Sequence, residues 1–126
     1  MNNTEKISDA ESEVLKILWA NESPLSERQI IDALNKENNW HRATVQTLIR
    51  RLCEKGFVQK VKKEVFYYSS LISEEEYTKD RTTDFLNKIY GGSAKNLVSA
   101  MLGNDIISEK DIDELKNYWM GRKNKK

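Results

Sequence analysis

The chain is 126 residues long, 33% charged and 38% hydrophobic, with a formal net charge of +1 and a mean hydropathy of −0.74. One domain, or a small one with an appendage, fits that length; with no apolar run near the roughly 18 residues of a membrane span and no signal-peptide core, a cytoplasmic protein without membrane insertion is expected. The single cysteine, Cys53, excludes an internal disulfide and fits a reducing compartment.

Ser8-Asp9-Ala10-Glu11 forms a capping box, and Val14, Leu15, Leu18 and Trp19 follow at helical spacing, which predicts a first helix over about 8–20. Asn21-Glu22-Ser23-Pro24 breaks it. Ser26-Glu27-Arg28-Gln29 is a second capping box, opening a helix through Ile30, Ile31, Ala33 and Leu34 to about Lys36. After the polar turn Asn38-Asn39 comes a third helix, from the stretch WHRATVQTLIRRL at 40–52, with Gly56 in the C′ place. Phe57–Val61 and Val65–Tyr68 are β-branched and aromatic runs separated by Lys62-Lys63-Glu64, a hairpin. Three helices, the last two joined by a tight turn, followed by a hairpin, predict a winged helix-turn-helix over 1–72.

Charge is unevenly placed along this frame. Residues 1–39 carry four basic and eight acidic side chains, and 64–120 carry six and eleven. Between them, 40–63 carry seven basic side chains and one acid, Glu54, for a net of +6. A near-neutral chain with one strongly basic middle stretch presents a polarised face, the electrostatic footprint of a nucleic-acid reader.

At about 100° per residue, Val45, Leu48, Ile49 and Leu52 form one narrow apolar stripe on the third helix. Ala43, Gln46, Thr47 and Arg50 lie opposite, with Thr44 and Arg51 on one flank and Arg42 on the other. Those are groups that meet base edges: Gln pairs with adenine, Arg with guanine, and Ala or Thr methyls with the thymine methyl. Arg51, Lys55 and the hairpin residues Lys60, Lys62 and Lys63 are better placed for phosphates, which fix register without carrying sequence information. A solvated helix face with no partner is the plain alternative, and it leaves the basic hairpin unexplained.

From Ser73 the pattern changes. Ser73-Glu74-Glu75-Glu76 is an N-cap with an acidic first turn, and Tyr77, Thr78, Arg81, Phe85, Leu86, Ile89 and Tyr90 carry a helix to a break at Gly91-Gly92. Leu97, Val98, Met101 and Leu102 predict a short helix ending at Gly103. Ser108-Glu109-Lys110-Asp111 caps another, with Ile112, Leu115 and Trp119 on one side. About fifty residues in three amphipathic helices rarely bury enough apolar surface alone, so residues 73–126 are expected to form a helical dimerisation domain. Folding back onto the winged domain of the same chain is the alternative. The tail Arg122–Lys126 is expected to be disordered. The expected class is therefore mainly α with a small β-hairpin.

The segments SDAESEVLKILWANESPLSERQIIDAL, NWHRATVQTLIRRLCEKGFV, KKEVFYYSSL, DFLNKIYGGSAKNLVSAML and DIDELKN resemble the penicillinase and methicillin-resistance repressors, the BlaI/MecI family, with copper-responsive repressors as relatives. Thr44, Thr47, Leu48, Arg51 and Leu52, and the NKIYGG block, carry the likeness most specifically. It implies a homodimeric repressor that binds double-stranded, palindromic operator DNA of β-lactam-resistance-type genes. It also implies relief of repression when a membrane sensor-protease cuts the dimerisation domain, the matching bond being Ala100–Met101. The family's Asn-Phe pair is Ala-Met here, and the reading helix departs too, with His41, Arg42, Ala43 and Gln46 where the penicillinase branch has other residues. The copper-responsive relatives carry paired C-x-C motifs near the C-terminus, whereas this chain has no cysteine after Cys53.

Other residues read more plainly. Cys53 is expected to be a half-buried filler, not a redox sensor. His41 has no second His or paired Cys for a metal site and is expected to meet a phosphate or solvent. Asp111, Asp113 and Glu114 have no base beside them and are assigned to a solvated face. No cofactor, metal or catalytic constellation is expected, which leaves as rivals a copper- or other-signal-responsive repressor of the same family and a winged-helix protein-interaction module.

Overall fold

Two serines open the first two helices. Ser8 and Ser26 each accept a hydrogen bond at Oγ from the backbone N–H three residues on, and Glu11 and Gln29 accept one in return from the serine N–H. Each box satisfies two donors that a helix start would otherwise leave unpaired. A computed structural model of the chain describes residues 3–21 and 24–123; Glu22-Ser23 of the expected break and tail residues 124–126 lie outside them. The elements are α1 (Asp9–Ala20), β1 (Leu25–Ser26), α2 (Glu27–Leu34), α3 (Arg42–Glu54), β2 (Val58–Lys62), β3 (Phe66–Ser70), α4 (Glu74–Tyr90), α5 (Ala94–Gly103) and α6 (Glu109–Lys123), preceded by a 3₁₀ turn at Thr4–Lys6.

Helix ends follow local chemistry. α2 stops two residues before Lys36, because Asn35 leaves the helix and its Oδ1 accepts a hydrogen bond from the Trp40 backbone N–H. α3 ends as its sequence predicts: Gly56 takes φ +87°, and the Gly56 and Phe57 N–H groups donate to the Cys53 and Leu52 carbonyls. That is a Schellman closure, and it turns the chain directly into the sheet. α5 also ends where its sequence predicts. Gly103 is its last helical residue, and Asp105 adopts the left-handed conformation (φ 58°) while the Asp105 and Ile106 N–H groups donate to Leu102 and Met101. Arg122 and Lys123, assigned to a disordered tail from sequence, belong to α6.

β2 and β3 pair antiparallel, Val58 opposite Ser70 and Lys62 opposite Phe66, and their turn is Lys63-Glu64-Val65. β1 pairs with the other side of β3, Leu25 opposite Tyr68, so the hairpin becomes a three-stranded sheet of order β1-β3-β2. Two residues offer no alternation for a sequence to show, and Ser26 both ends β1 and caps α2.

The chain forms two compact units, divided between Thr82 and Thr83 within α4. In the first, the predicted stripe is the centre of the core: Val45, Leu48, Ile49 and Leu52 are buried against Val14, Leu15 and Leu18 of α1, Ile30 and Leu34 of α2, and Val58 and Tyr68 of the sheet. Burying each such side chain contributes about 1.5–3 kcal/mol. With α1–α3 in that core and β2–β3 as the wing, the first unit is a winged helix. The start of α4 is anchored here too, since the Trp19 indole N–H donates to the Ile72 carbonyl and the Trp19 ring meets Tyr77 at 5.4 Å between centroids. In α4, α5 and α6, by contrast, no residue is buried.

Candidate nucleic-acid interface

With its apolar stripe inward, α3 must turn its polar residues out. Arg42, Ala43, Thr44, Gln46, Arg50 and Arg51 are exposed, and Thr47 is half-buried. Arg42 is the first residue of the helix and stands on the side of α2, where its Nε lies 3.5 Å from Glu27 Oε1. Gln46, one turn on, donates from Nε2 to the same carboxylate oxygen at 2.6 Å. Arg50, a further turn on, pairs with Glu54 at 3.1 Å. The Thr47 hydroxyl donates to the Ala43 carbonyl, which leaves its methyl and oxygen lone pairs for any partner. His41 is the N-cap residue and makes no side-chain capping bond.

The wing lysines lie beside this face. Lys60 and Lys62 sit two apart on β2, so they share one side of the strand, and both ammonium groups lie over the Phe66 ring, at 4.6 and 5.5 Å from its centroid. Phe66 is 40% exposed, so the ring props two cations at the surface instead of filling the core. Lys63, in the turn, is exposed with its backbone N–H bonded to the Val65 carbonyl. A groove of about 330 Å³ joins wing to helix, lined by Glu27, Gln46, Ile49, Arg50, Cys53, Glu54, Lys60 and Tyr68. Cys53 is half-buried there, and burial pushes its thiol up, as suits a filler.

Lys55 departs from the sequence expectation. Its ammonium donates to both Glu11 carboxylate oxygens, at 2.7 and 2.9 Å, and to the Lys6 carbonyl at 2.6 Å. Glu11 is 1% exposed. Burial alone would raise the Glu11 carboxyl, but the Lys55 bond, the Ser8 N–H and the nearby Lys55 and Arg51 charges outweigh it and hold the group below its ordinary value. Lys55 is thus committed to fixing the C-terminal end of α3 on the N-terminus of α1, not to a phosphate. A buried carboxylate has to be paired, and only the fold brings residue 55 to residue 11.

Sequence reasoning also missed Glu27. As the first residue of α2 it reads as an ordinary acidic helix start, and nothing local ties it to a side chain 19 positions later. Asp111, by contrast, sits in the first turn of α6 and exchanges hydrogen bonds with Ser108: its backbone N–H donates to Ser108 Oγ, and the bonds its carboxylate accepts from Ser108 hold the carboxyl below its ordinary value.

Of the side chains expected at the dimer contact, Phe85, Ile89, Val98, Leu102, Leu115 and Trp119 are exposed, while Leu86, Leu97, Met101 and Ile112 are half-buried. Ala100 and Met101 lie within α5, both half-buried. Among the described residues no helix is long and apolar enough to cross a membrane.

Known proteins resemble this arrangement. Residues 7–120 match the family model described as penicillinase repressor. The penicillinase repressor of Bacillus licheniformis is 35% identical over 127 residues, spanning 100% of this chain and 98% of that protein. The methicillin resistance regulatory protein MecI of Staphylococcus aureus is 35% identical over 117 residues, 92% of this chain and 94% of the other. The solution structure of the DNA-binding domain of the repressor BlaI matches with a TM-score of 0.53 and 37% identity, covering 61% of this chain and 94% of that one. The monomeric form of Bacillus licheniformis BlaI in complex with the blaP half-operator matches to the same extent, with a TM-score of 0.53, 37% identity, and 61% and 94% coverage.

Proposed function

The chain belongs to the penicillinase repressor family, whose members are DNA-binding transcriptional repressors and not enzymes, and from that premise we propose that it is a homodimeric repressor reading a palindromic operator in the cytoplasm. The observation that carries this reading is the outward face of α3, where Arg42, Ala43, Thr44, Gln46 and Arg50 stand clear of the core beside the lysines of the wing. α3 lies in the major groove, with Gln46, Thr47 and Arg50 at base edges and Ala43 and Thr44 in close support. Arg51, Lys60, Lys62 and Lys63 touch phosphates.

A second copy covers α4–α6. In support, Phe85 is 50% exposed, Ile89 61% and Trp119 60%, and none of the three helices buries a residue, so their apolar side chains are available to a second copy. The genes controlled are of the β-lactam-resistance type, and a membrane sensor-protease relieves repression by cutting Ala100–Met101. A protease binds its substrate extended, so α5 must first open locally. The cut then severs Met101, Leu102, Ile112, Leu115 and Trp119 from α4 and the winged unit, and the dimer loses its contact.

The direct test is a gel shift on DNA upstream of its own gene, where full-length protein is expected to shift a discrete complex that unlabelled random DNA does not displace. Immunoblots of β-lactam-treated cells carrying the sensor gene should show a shortened chain. An intact band alongside full derepression would point to another inducer.

A further inference from the structure

We propose that Glu27, on α2, is a positioning residue that makes Gln46 selective for adenine over guanine; the inference rests on α3 being the base-reading helix. Glu27 Oε1 accepts from Gln46 Nε2 at 2.6 Å and lies 3.5 Å from Arg42 Nε. An ionised carboxylate accepts hydrogen bonds and has none to give. It can therefore face only the NH₂ end of the Gln46 amide, and that fixes the amide's orientation by chemistry. One N–H is used on Glu27; the amide oxygen and the second N–H remain. Adenine needs that pair, an acceptor for its N6 amino group and a donor for N7. Guanine offers two acceptors, N7 and O6, and calls for two donors. A free glutamine could turn both N–H groups to guanine, whereas one held by Glu27 has a single N–H to offer.

The contact is independent of the α3 core, since Glu27 leads α2 and its side chain keeps 32% of its surface in water. The capping bonds of α2 are made by Ser26 and Gln29, so replacing Glu27 leaves them in place. Glu27→Gln keeps the side-chain length but lets position 27 either accept or donate, which releases the Gln46 amide to both orientations.

The experiment uses full-length protein and an operator selected from a random DNA pool. Affinities are measured for operators differing at the base pair whose identity ceases to matter in Gln46→Ala. Wild type is expected to prefer adenine over guanine there by about fivefold or more. Glu27→Gln and Glu27→Ala should cut that preference to below about twofold, leaving the preferences at other pairs as they were. In the Gln46→Ala background, Glu27→Gln should change base preference no further. If Gln46→Ala abolishes a preference that both Glu27 variants retain, Glu27 does not position the amide, although the reading of α3 stands. If Gln46→Ala leaves every base preference intact, the reading of α3 fails and the proposal falls with it.

Discussion

At Gln46 and Lys62 one surface is expected to do two different things. Gln46→Ala should cost about 1–3 kcal/mol on the best operator and little on random DNA, because a base-edge contact exists only on the right sequence. Lys62→Ala should weaken both DNAs alike and flatten the salt dependence by about one unit, as the loss of one phosphate contact does. Equal losses on both DNAs for Gln46→Ala would overturn its assignment. Lys55 and Glu11 belong to stability instead. Removing the ammonium by Lys55→Ala strands a buried carboxylate, and about 2–4 kcal/mol is expected, short of a fully buried pair because the Lys55 side chain keeps 31% of its surface in water. The folded-state pKa of Glu11 is lowered, so the folded chain binds fewer protons there than the unfolded one. Its stabilisation is therefore complete above the ordinary carboxylate pKa of about 4.3 and is lost as pH falls through the lower folded value. Urea unfolding between about pH 6 and pH 3 should show wild type losing stability faster than Glu11→Gln; parallel curves would contradict the pairing.

Elements were legible where their causes are local. The boxes at Ser8 and Ser26, the stripe Val45–Leu52 and Gly56 each lie within a few residues of what they control, and each formed as the pattern predicts. β1 was not legible, since Leu25 and Ser26 become a strand only through Tyr68 and Tyr67, more than 40 positions away. Lys55 and Glu27 were missed for the same reason: their partners, Glu11 and Gln46, come near only once the helices pack. α4 shows how this bears on an experiment. Its first turns belong with the winged unit, Tyr77 against Trp19, and its end belongs with the second unit. A chain ending at Thr82 should therefore unfold cooperatively with the winged core intact, whereas one ending at Ile72 should be less stable by about 1–2 kcal/mol for want of Tyr77. Both should bind the operator far more weakly than the full chain, each half-site then binding alone without the effective concentration that linkage supplies. Full-strength binding by the shorter chains would count against a role for α4–α6 in pairing.

For the whole molecule, the two units differ in what they bury. The winged unit closes its own core around Leu15, Ile30 and Leu52, whereas α4–α6 bury no residue. With a second copy completing the C-terminal unit, the operator's symmetry follows from the protein's, because two identical reading helices related by a two-fold axis call for two half-sites related in the same way. Sedimentation of the free chain at micromolar concentration should accordingly give a dimer. The most direct test is hydroxyl-radical footprinting at saturation on the selected operator, with the number of chains per DNA measured on the same complex. Two chains and a dyad-symmetric footprint, its half-site centres separated by whole helical turns of about 34–36 Å, are expected; one chain protecting a single asymmetric half-site at saturation would contradict the account.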